Sequence, residues 1–143
     1  MSAGVNRKAI ELQERTRRFA TADIKFCERL PRTYAAQHMA EQLIDSSTAA
    51  DSNYRAACRA RSPAEFIAKI GVAVEEADES KGWLQLLVQS NNAAIENARD
   101  LIQESNELTS IFVASRKTAE RRKEDRERLR KQLGKPTRRQ RQE

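Results

Sequence analysis

Apolar side chains recur along this chain at intervals of three and four, the spacing of a helix that buries one face. From about Arg7 to Leu30, the positions Leu12, Thr16, Phe19, Phe26, Cys27 and Leu30 fall on one side. Pro31 ends that helix, because the residue before a proline avoids the helical region. A second helix is predicted from about Thr33 to Arg59, with Ala36, Met39, Leu43, Ser47, Ala50, Tyr54 and Ala57 turned inward. Those inner residues are mostly small, so this helix is expected to be the most central and the most tightly packed. Its middle holds Ser46, Ser47, Thr48 and Ser52, which lower intrinsic helicity and leave tertiary packing to hold it.

The third helix has the clearest start. Ser62 can cap a helix, Pro63 suits the first helical position, and Glu65 completes a capping box three residues on. With Phe66 at zero on a wheel of about 100° per residue, Ile70, Ala73, Ala77, Leu84 and Val88 form one stripe facing a core. A second band to one side mixes Val72, Trp83 and Leu87 with Glu65, Lys69 and Glu76. Two readings of that band stand side by side: Trp83 covers the edge of a monomer core, or Val72, Trp83 and Leu87 meet another subunit. Glu65 and Glu76 bracket Lys69 at helical spacing, which predicts a charge-satisfied polar seam.

Ser90-Asn91-Asn92 makes a turn, and a fourth helix begins near Ala93. Leu101, Ser105, Leu108, Phe112 and Ala119 are its inward stripe, widened by Ile102, Ile111 and Val113. Apolar periodicity fades near Ala119, yet helix-forming residues continue to Leu133, where Gly134 and Pro136 stop them. Bundle helices of about 24 to 28 residues, joined by short connections, run antiparallel to their neighbours. The fold class is therefore all-α: an up-down-up-down four-helix bundle over residues 1–119, with a basic helical extension and disordered tail over 120–143. Residues 1 to about 6 also read as disordered.

Composition sharpens this outline. The chain has 143 residues, 38% of them hydrophobic, with four Gly and three Pro to break helices. No apolar run is long enough for a membrane span and no signal peptide is visible, so a cytoplasmic protein with no membrane partner is expected. Cys27 and Cys58 lie on apolar faces without metal-ligand spacing and read as small buried thiols. The single His38 is expected at the surface, and Ala35, three residues before it, rules out the Glu-x-x-His pattern of di-iron bundles. Asp23 falls on the apolar face of the first helix and needs a partner there, such as Asn53 or Ser47.

Charge is unevenly placed. Met1 to Ala114 carries 14 basic and 16 acidic residues, while Ser115 to Glu143 carries 13 and 5, a net +8. Within the first part, Met1 to Ile70 is net +4 and Gly71 to Ala114 net −6.

Over roughly residues 10 to 119, the pattern N-Y-R at Asn53, R-S-x-x-E-F-I-x-K from Arg61 and E-A-x-E-S-x-x-W-L from Glu76 carries a family resemblance. Arg15-Thr16, Phe19-Ala20, Leu30-Pro31, Gln42-Leu43, Ser46-Ser47, Glu104, Asn106-Glu107-Leu108, Ser115 and Thr118-Ala119 extend it. The chain resembles the four-helix-bundle proteins encoded in intervening sequences of bacterial large-subunit ribosomal RNA genes. It departs from that pattern at Ala56, Ala68, Glu75 and Asp45. The resemblance implies a ring-forming, typically pentameric bundle. It also implies a relation to the accessory protein of diversity-generating retroelements, a basic ring that assists a reverse transcriptase.

Nothing in the sequence has the spacing of a catalytic site, so no enzyme, cofactor, metal or small-molecule substrate is expected. Two other functions remain. The first is nucleic-acid binding, RNA favoured over DNA, through Arg15, Arg17 and Arg18 on the first helix and Arg116, Lys117, Arg121, Arg122, Lys123, Arg126 and Arg130 on the fourth. Glu120, Glu124, Asp125 and Glu127 are interspersed, and the tail lacks an aromatic residue, so phosphate contact without sequence readout is the expected mode. The second is a homo-oligomeric scaffold or adaptor with no nucleic-acid role.

Overall fold

A computed structural model describes residues 7–134, and the expected disorder at residues 1–6 and beyond 134 lies outside them. The chain forms α1 (Arg7–Glu28), α2 (Tyr34–Cys58), α3 (Pro63–Gln89) and α4 (Ile95–Leu133) in an antiparallel four-helix bundle. Each boundary has a local cause. Thr33 caps α2 by accepting from the Ala36 amide at 3.3 Å. Ser62 caps α3 by accepting from Glu65 N at 3.1 Å, while the Glu65 carboxylate takes the Arg61 amide at 3.2 Å. This capping box is shifted by one residue, since the returning bond reaches the amide before the cap rather than the cap itself.

The α3–α4 turn is a Schellman motif. Asn91 has φ of 60°, its amide reaches the Val88 carbonyl at 3.1 Å, and the Asn92 amide reaches that of Leu87 at 2.9 Å. Asn is the side chain that best tolerates this left-handed position after Gly.

Packing is heaviest on α3, which lies against both α2 and α4. This corrects the expectation that α2 is the most central helix. Ala73, Ala77 and Ser80 give α3 its own row of small buried residues, so its neighbours can approach it closely. The Ser46 and Ser80 hydroxyls meet at 2.8 Å across the α2–α3 contact. By contrast α1 packs mainly on α2 and only thinly on α4. Across the bundle diagonal, Tyr54 of α2 stacks on Phe112 of α4 with ring centroids 5.0 Å apart.

The core has two apolar halves. One gathers Phe26, Leu30, Met39, Leu43, Leu84 and Leu87, and the other Phe19, Tyr54, Ile70, Leu108 and Phe112. Leu101 touches both. Between them in the order of every helix comes a buried polar residue: Asp23 in α1, Ser46 and Ser47 in α2, Ser80 in α3 and Ser105 in α4. Ser47 donates to the Ile44 carbonyl and Ser105 to that of Ile102, while in the Ser46–Ser80 pair one hydroxyl donates to the other and the second to a carbonyl of its own helix, Leu43 or Glu76. Asp23 has no such outlet. Both its carboxylate oxygens are buried without a hydrogen-bond partner. The expected partners are engaged elsewhere, Ser47 as above and Asn53 with its amide on the Ala49 carbonyl at 2.9 Å.

Burial pushes the Asp23 carboxyl up to about 8 from an ordinary 3.8, so the neutral acid prevails at pH 7. His38 is exposed and stacks on Tyr34. Cys27 is buried and donates to the Ala40 carbonyl at 3.7 Å, whereas Cys58 is only half-buried, contrary to its expected place in the core.

Ser62→Ala should lower stability by about 1 kcal/mol through loss of the cap, read as a lower unfolding midpoint with unchanged helix content at low denaturant. An unchanged midpoint would show that Pro63 and packing alone start α3.

The folded state holds the Asp23 proton more tightly than the unfolded chain does, so this residue costs stability as pH rises from about 4 to about 8 and adds no further loss above that. The slope approaches about 1.4 kcal/mol per pH unit at most. Asp23→Asn, which cannot ionise, is expected to raise the midpoint at pH 8 and flatten this pH dependence. A variant less stable than the parent at pH 8 would refute the assignment.

Candidate nucleic-acid interface

The fourth helix is 39 residues long, against 22 to 27 for the others, and outruns the bundle at the end that holds the α2–α3 turn. From Glu120 to Gly134 every side chain except Lys123 is exposed, over roughly 20 Å of helix. Leu129 and Leu133 are the large apolar residues there, and both are open to solvent. The stretch is helical for electrostatic and intrinsic reasons. Arg116 pairs with Glu120 at 3.8 Å and Lys123 with Glu127 at 3.1 Å, each one turn apart. The Lys123 hydrogen bond, then its charge, holds the Glu127 carboxyl below the usual carboxylate range.

These pairs sort the expected phosphate-binding residues. Arg116 and Lys123 are tied to carboxylates of their own helix, and the Arg116 guanidinium also folds back towards Gly71 of α3. Arg121, Arg122, Arg126 and Arg130 are exposed and lack a carboxylate partner among the described residues, as does Lys117.

On α1 the sorting is sharper. The Arg15 guanidinium forks onto Glu104 of α4, with Nε at 3.0 Å from Oε2, and reaches Glu107 at 2.8 Å. The Glu104 bond is the main reason its pKa is raised. Arg15 therefore clamps α1 to α4, the adjacent pair of helices that touches least. Arg17 lies 3.2 Å from Asp51 of α2, which also holds Arg55 at 3.3 Å. Arg18 is exposed beside Thr21, Ala22 and Lys25 in a shallow depression of the α1 surface.

Three further cations gather around Arg122 with no signal in sequence spacing. Lys8 of α1, Arg59 at the end of α2 and Arg61 in the α2–α3 turn share a groove with it. They come from separate elements, so only the fold brings them together.

The opposite flank is acidic and apolar. Glu76 is partly buried, and burial first, then Glu79, Glu75 and Asp45, raises its pKa. The expected charge-satisfied seam around Lys69 is not formed: Lys69 has no carboxylate partner among the described residues, and the charges acting on Glu76 are all negative. Nearby, Val72 is 37% and Leu86 44% exposed, and half-buried Trp83 donates its indole N–H to Glu79 at 3.3 Å. Leu87 does not belong to this surface. It is 0% exposed and packs with Leu84 inside the chain, because it lies only about 60° from the core stripe on the helical wheel. Leu86, which the periodicity did not single out, takes its place on the outside.

Among the described residues no helix is long and apolar enough to cross a membrane, and no group of three or more His, Cys, Asp or Glu is placed to hold a metal ion.

A family model described as 23S rRNA-intervening sequence protein matches residues 8–114. The chain is also similar to a crystal structure from Bacteroides thetaiotaomicron, described as a protein of unknown function from the S23 ribosomal protein family. Identity is 26% over 77% of this chain and 98% of that one, with a TM-score of 0.71. No curated protein matches.

Proposed function

The chain belongs to the 23S rRNA-intervening sequence protein family, and from that premise we propose that it is a non-catalytic, homo-oligomeric bundle that binds RNA through its projecting basic helix. The observation that carries this reading is the continuation of α4 beyond the bundle as an exposed helix whose Arg121, Arg122, Arg126 and Arg130 have no carboxylate partner among the described residues. A rigid rod of cations aimed away from the core meets phosphates at little cost in conformational entropy. It reads backbone rather than sequence, since no side chain on it offers an aromatic face. Arg18 adds charge from α1, while Arg15 and Arg17 act mainly as clamps. DNA phosphates would satisfy the same cations, and the cytoplasm is the compartment this role requires.

Oligomer formation is proposed on a different observation. Val72, Trp83 and Leu86 put an apolar band on the outer face of α3, next to the carboxylates Glu75, Glu76 and Glu79, while α1 across the bundle exposes Arg18 and Lys25 together. Unlike flanks on one molecule favour head-to-tail contacts, which close into rings when the rotation allows. A pentamer is the ring we favour. It would hold several α4 rods together, and linked weak contacts bind far more tightly than one. The same band also favours a second reading, an oligomeric scaffold without RNA.

Truncation after Ala119 should leave thermal unfolding and oligomer size nearly unchanged and remove salt-sensitive binding to structured RNA. Fluorescence anisotropy across a salt series measures this, and equal affinity of both forms would move the binding surface to the bundle. Leu86→Ser combined with Trp83→Ala should reduce the oligomer to monomers in light scattering. A monomeric parent protein at micromolar concentration would end the ring proposal.

A further inference from the structure

At the end of the bundle from which α4 projects, a groove of about 990 Å³ opens between the start of α1, the α2–α3 turn and α4. Its floor is apolar, with Leu12, Ala57, Phe66 and Ile111, and its rim carries Lys8, Arg59, Arg61 and Arg122. No carboxylate lines it among the described residues. None of the four rim cations has an ion-pair partner there either, although Arg7, one residue before Lys8, pairs with Glu11. The nearby Glu65 carboxylate is taken by the Arg61 amide in the α3 cap. A cleft with an apolar floor, and with cations around its mouth that lack ion-pair partners among the described residues, has the chemistry of a site for a flat ring that carries phosphate, and its volume lies at the upper end of the range of small-ligand sites, about 300 to 1,000 Å³.

Two aromatic rings border the groove. Tyr54 is buried and already stacked on Phe112, whereas Phe66 packs on the second half-core and is only half-buried, so its remaining surface is the aromatic one able to meet a ligand. Bases inside a duplex have both faces covered by their neighbours, so the ring that Phe66 could stack against is an unpaired one. Arg122 belongs both to the groove and to the exposed part of α4, so a strand whose phosphates follow α4 reaches this opening without a gap.

We infer that this groove receives an unpaired base of a single-stranded RNA segment against Phe66, with the flanking phosphates on Arg59, Arg61, Lys8 and Arg122. The inference rests on the RNA-binding reading above and adds to it a preference for single strands, which the α4 rod alone cannot supply. Cys58 lines the same groove and is half-buried, so its thiol reports occupancy. Cys27 is a silent control, since burial first and the nearby Asp23 second push its thiol up to about 12.

The test uses the full chain, a short single-stranded oligoribonucleotide, and the same sequence in a blunt duplex. The single strand is expected to slow alkylation of Cys58 by N-ethylmaleimide and the duplex to bind without slowing it. Phe66→Leu, which keeps the floor apolar, should weaken single-strand binding about tenfold and leave duplex binding alone. The Arg59→Ala/Arg61→Ala pair should flatten the salt dependence of single-strand binding by about one unit of slope. Salt-sensitive binding that persists with Cys58 unprotected and with Phe66→Leu at parental affinity would overturn the groove and spare the α4 reading. Absence of salt-sensitive binding to either RNA would overturn both. Equal protection by a free nucleoside monophosphate at the same concentration would make the groove a mononucleotide site and overturn the strand assignment.

Discussion

Two apolar half-cores separated by a polar layer set the terms for the rest of this molecule. Each half has large side chains to bury, but the residues between them, Asp23, Ser46, Ser47, Ser80 and Ser105, contribute little apolar area. Serine can be buried cheaply in a helix because its hydroxyl returns to a carbonyl one turn back. Asp23 cannot do this and is accommodated by keeping its proton. The layer also allows close approach, since small side chains bring α2 within hydroxyl contact of α3. α3 thereby becomes the spine, and α1, which carries the misfit carboxyl, is the helix that packs least on its neighbours.

That weakness explains where the arginines of α1 go. Arg15 bridges to Glu104 and Glu107, and Arg17 shares Asp51 with Arg55, so charge takes over part of the work of fastening α1. The pairs are partly exposed, and each adds modestly to stability on its own, but the forked geometry of Arg15 fixes the register of α1 against α4. An arginine engaged in this way is a poor phosphate ligand, because a phosphate must displace a carboxylate already in place. Basic residues counted along the sequence therefore overstate the cations that the fold leaves available, and among the described residues Arg18 and the outer α4 cations are exposed without a carboxylate partner.

The helices were legible because their ends are written locally: Pro31, Thr33, Ser62, Pro63 and Gly134 each act within a few residues. The family resemblance was legible for the same reason, as motifs in fixed order. What escaped is what depends on partners distant in sequence. Arg15 and Glu104 lie in different helices, and no periodicity links them. Leu87 sits near the boundary of the core stripe, where a difference of about 60° on the wheel decides between inside and outside. For Asp23 the expected hydrogen bond is not formed, and burial instead favours the neutral acid, which no spacing in the sequence could show. The rim of the end groove was invisible because Lys8, Arg59, Arg61 and Arg122 converge from four places, with no motif among them.

The acidic residues in the α4 extension have a role consistent with this selection. A helix that is polar all round and has no core to lie on needs pairs one turn apart to persist in water. Glu120 and Glu127 supply them to Arg116 and Lys123. They lower the net charge, yet they do so at positions whose cations would otherwise be the least projecting, since Arg116 and Lys123 are the half-buried ones. The cations left over are those furthest from the bundle and those at the groove mouth. A run with fewer acids would be more basic and less helical, and its charge would be spread over a mobile chain rather than held in line with the opening beside Phe66. Mixed charge in this segment thus gains order along the rod where little exposed cationic surface is lost, an arrangement compatible with the proposed phosphate contacts.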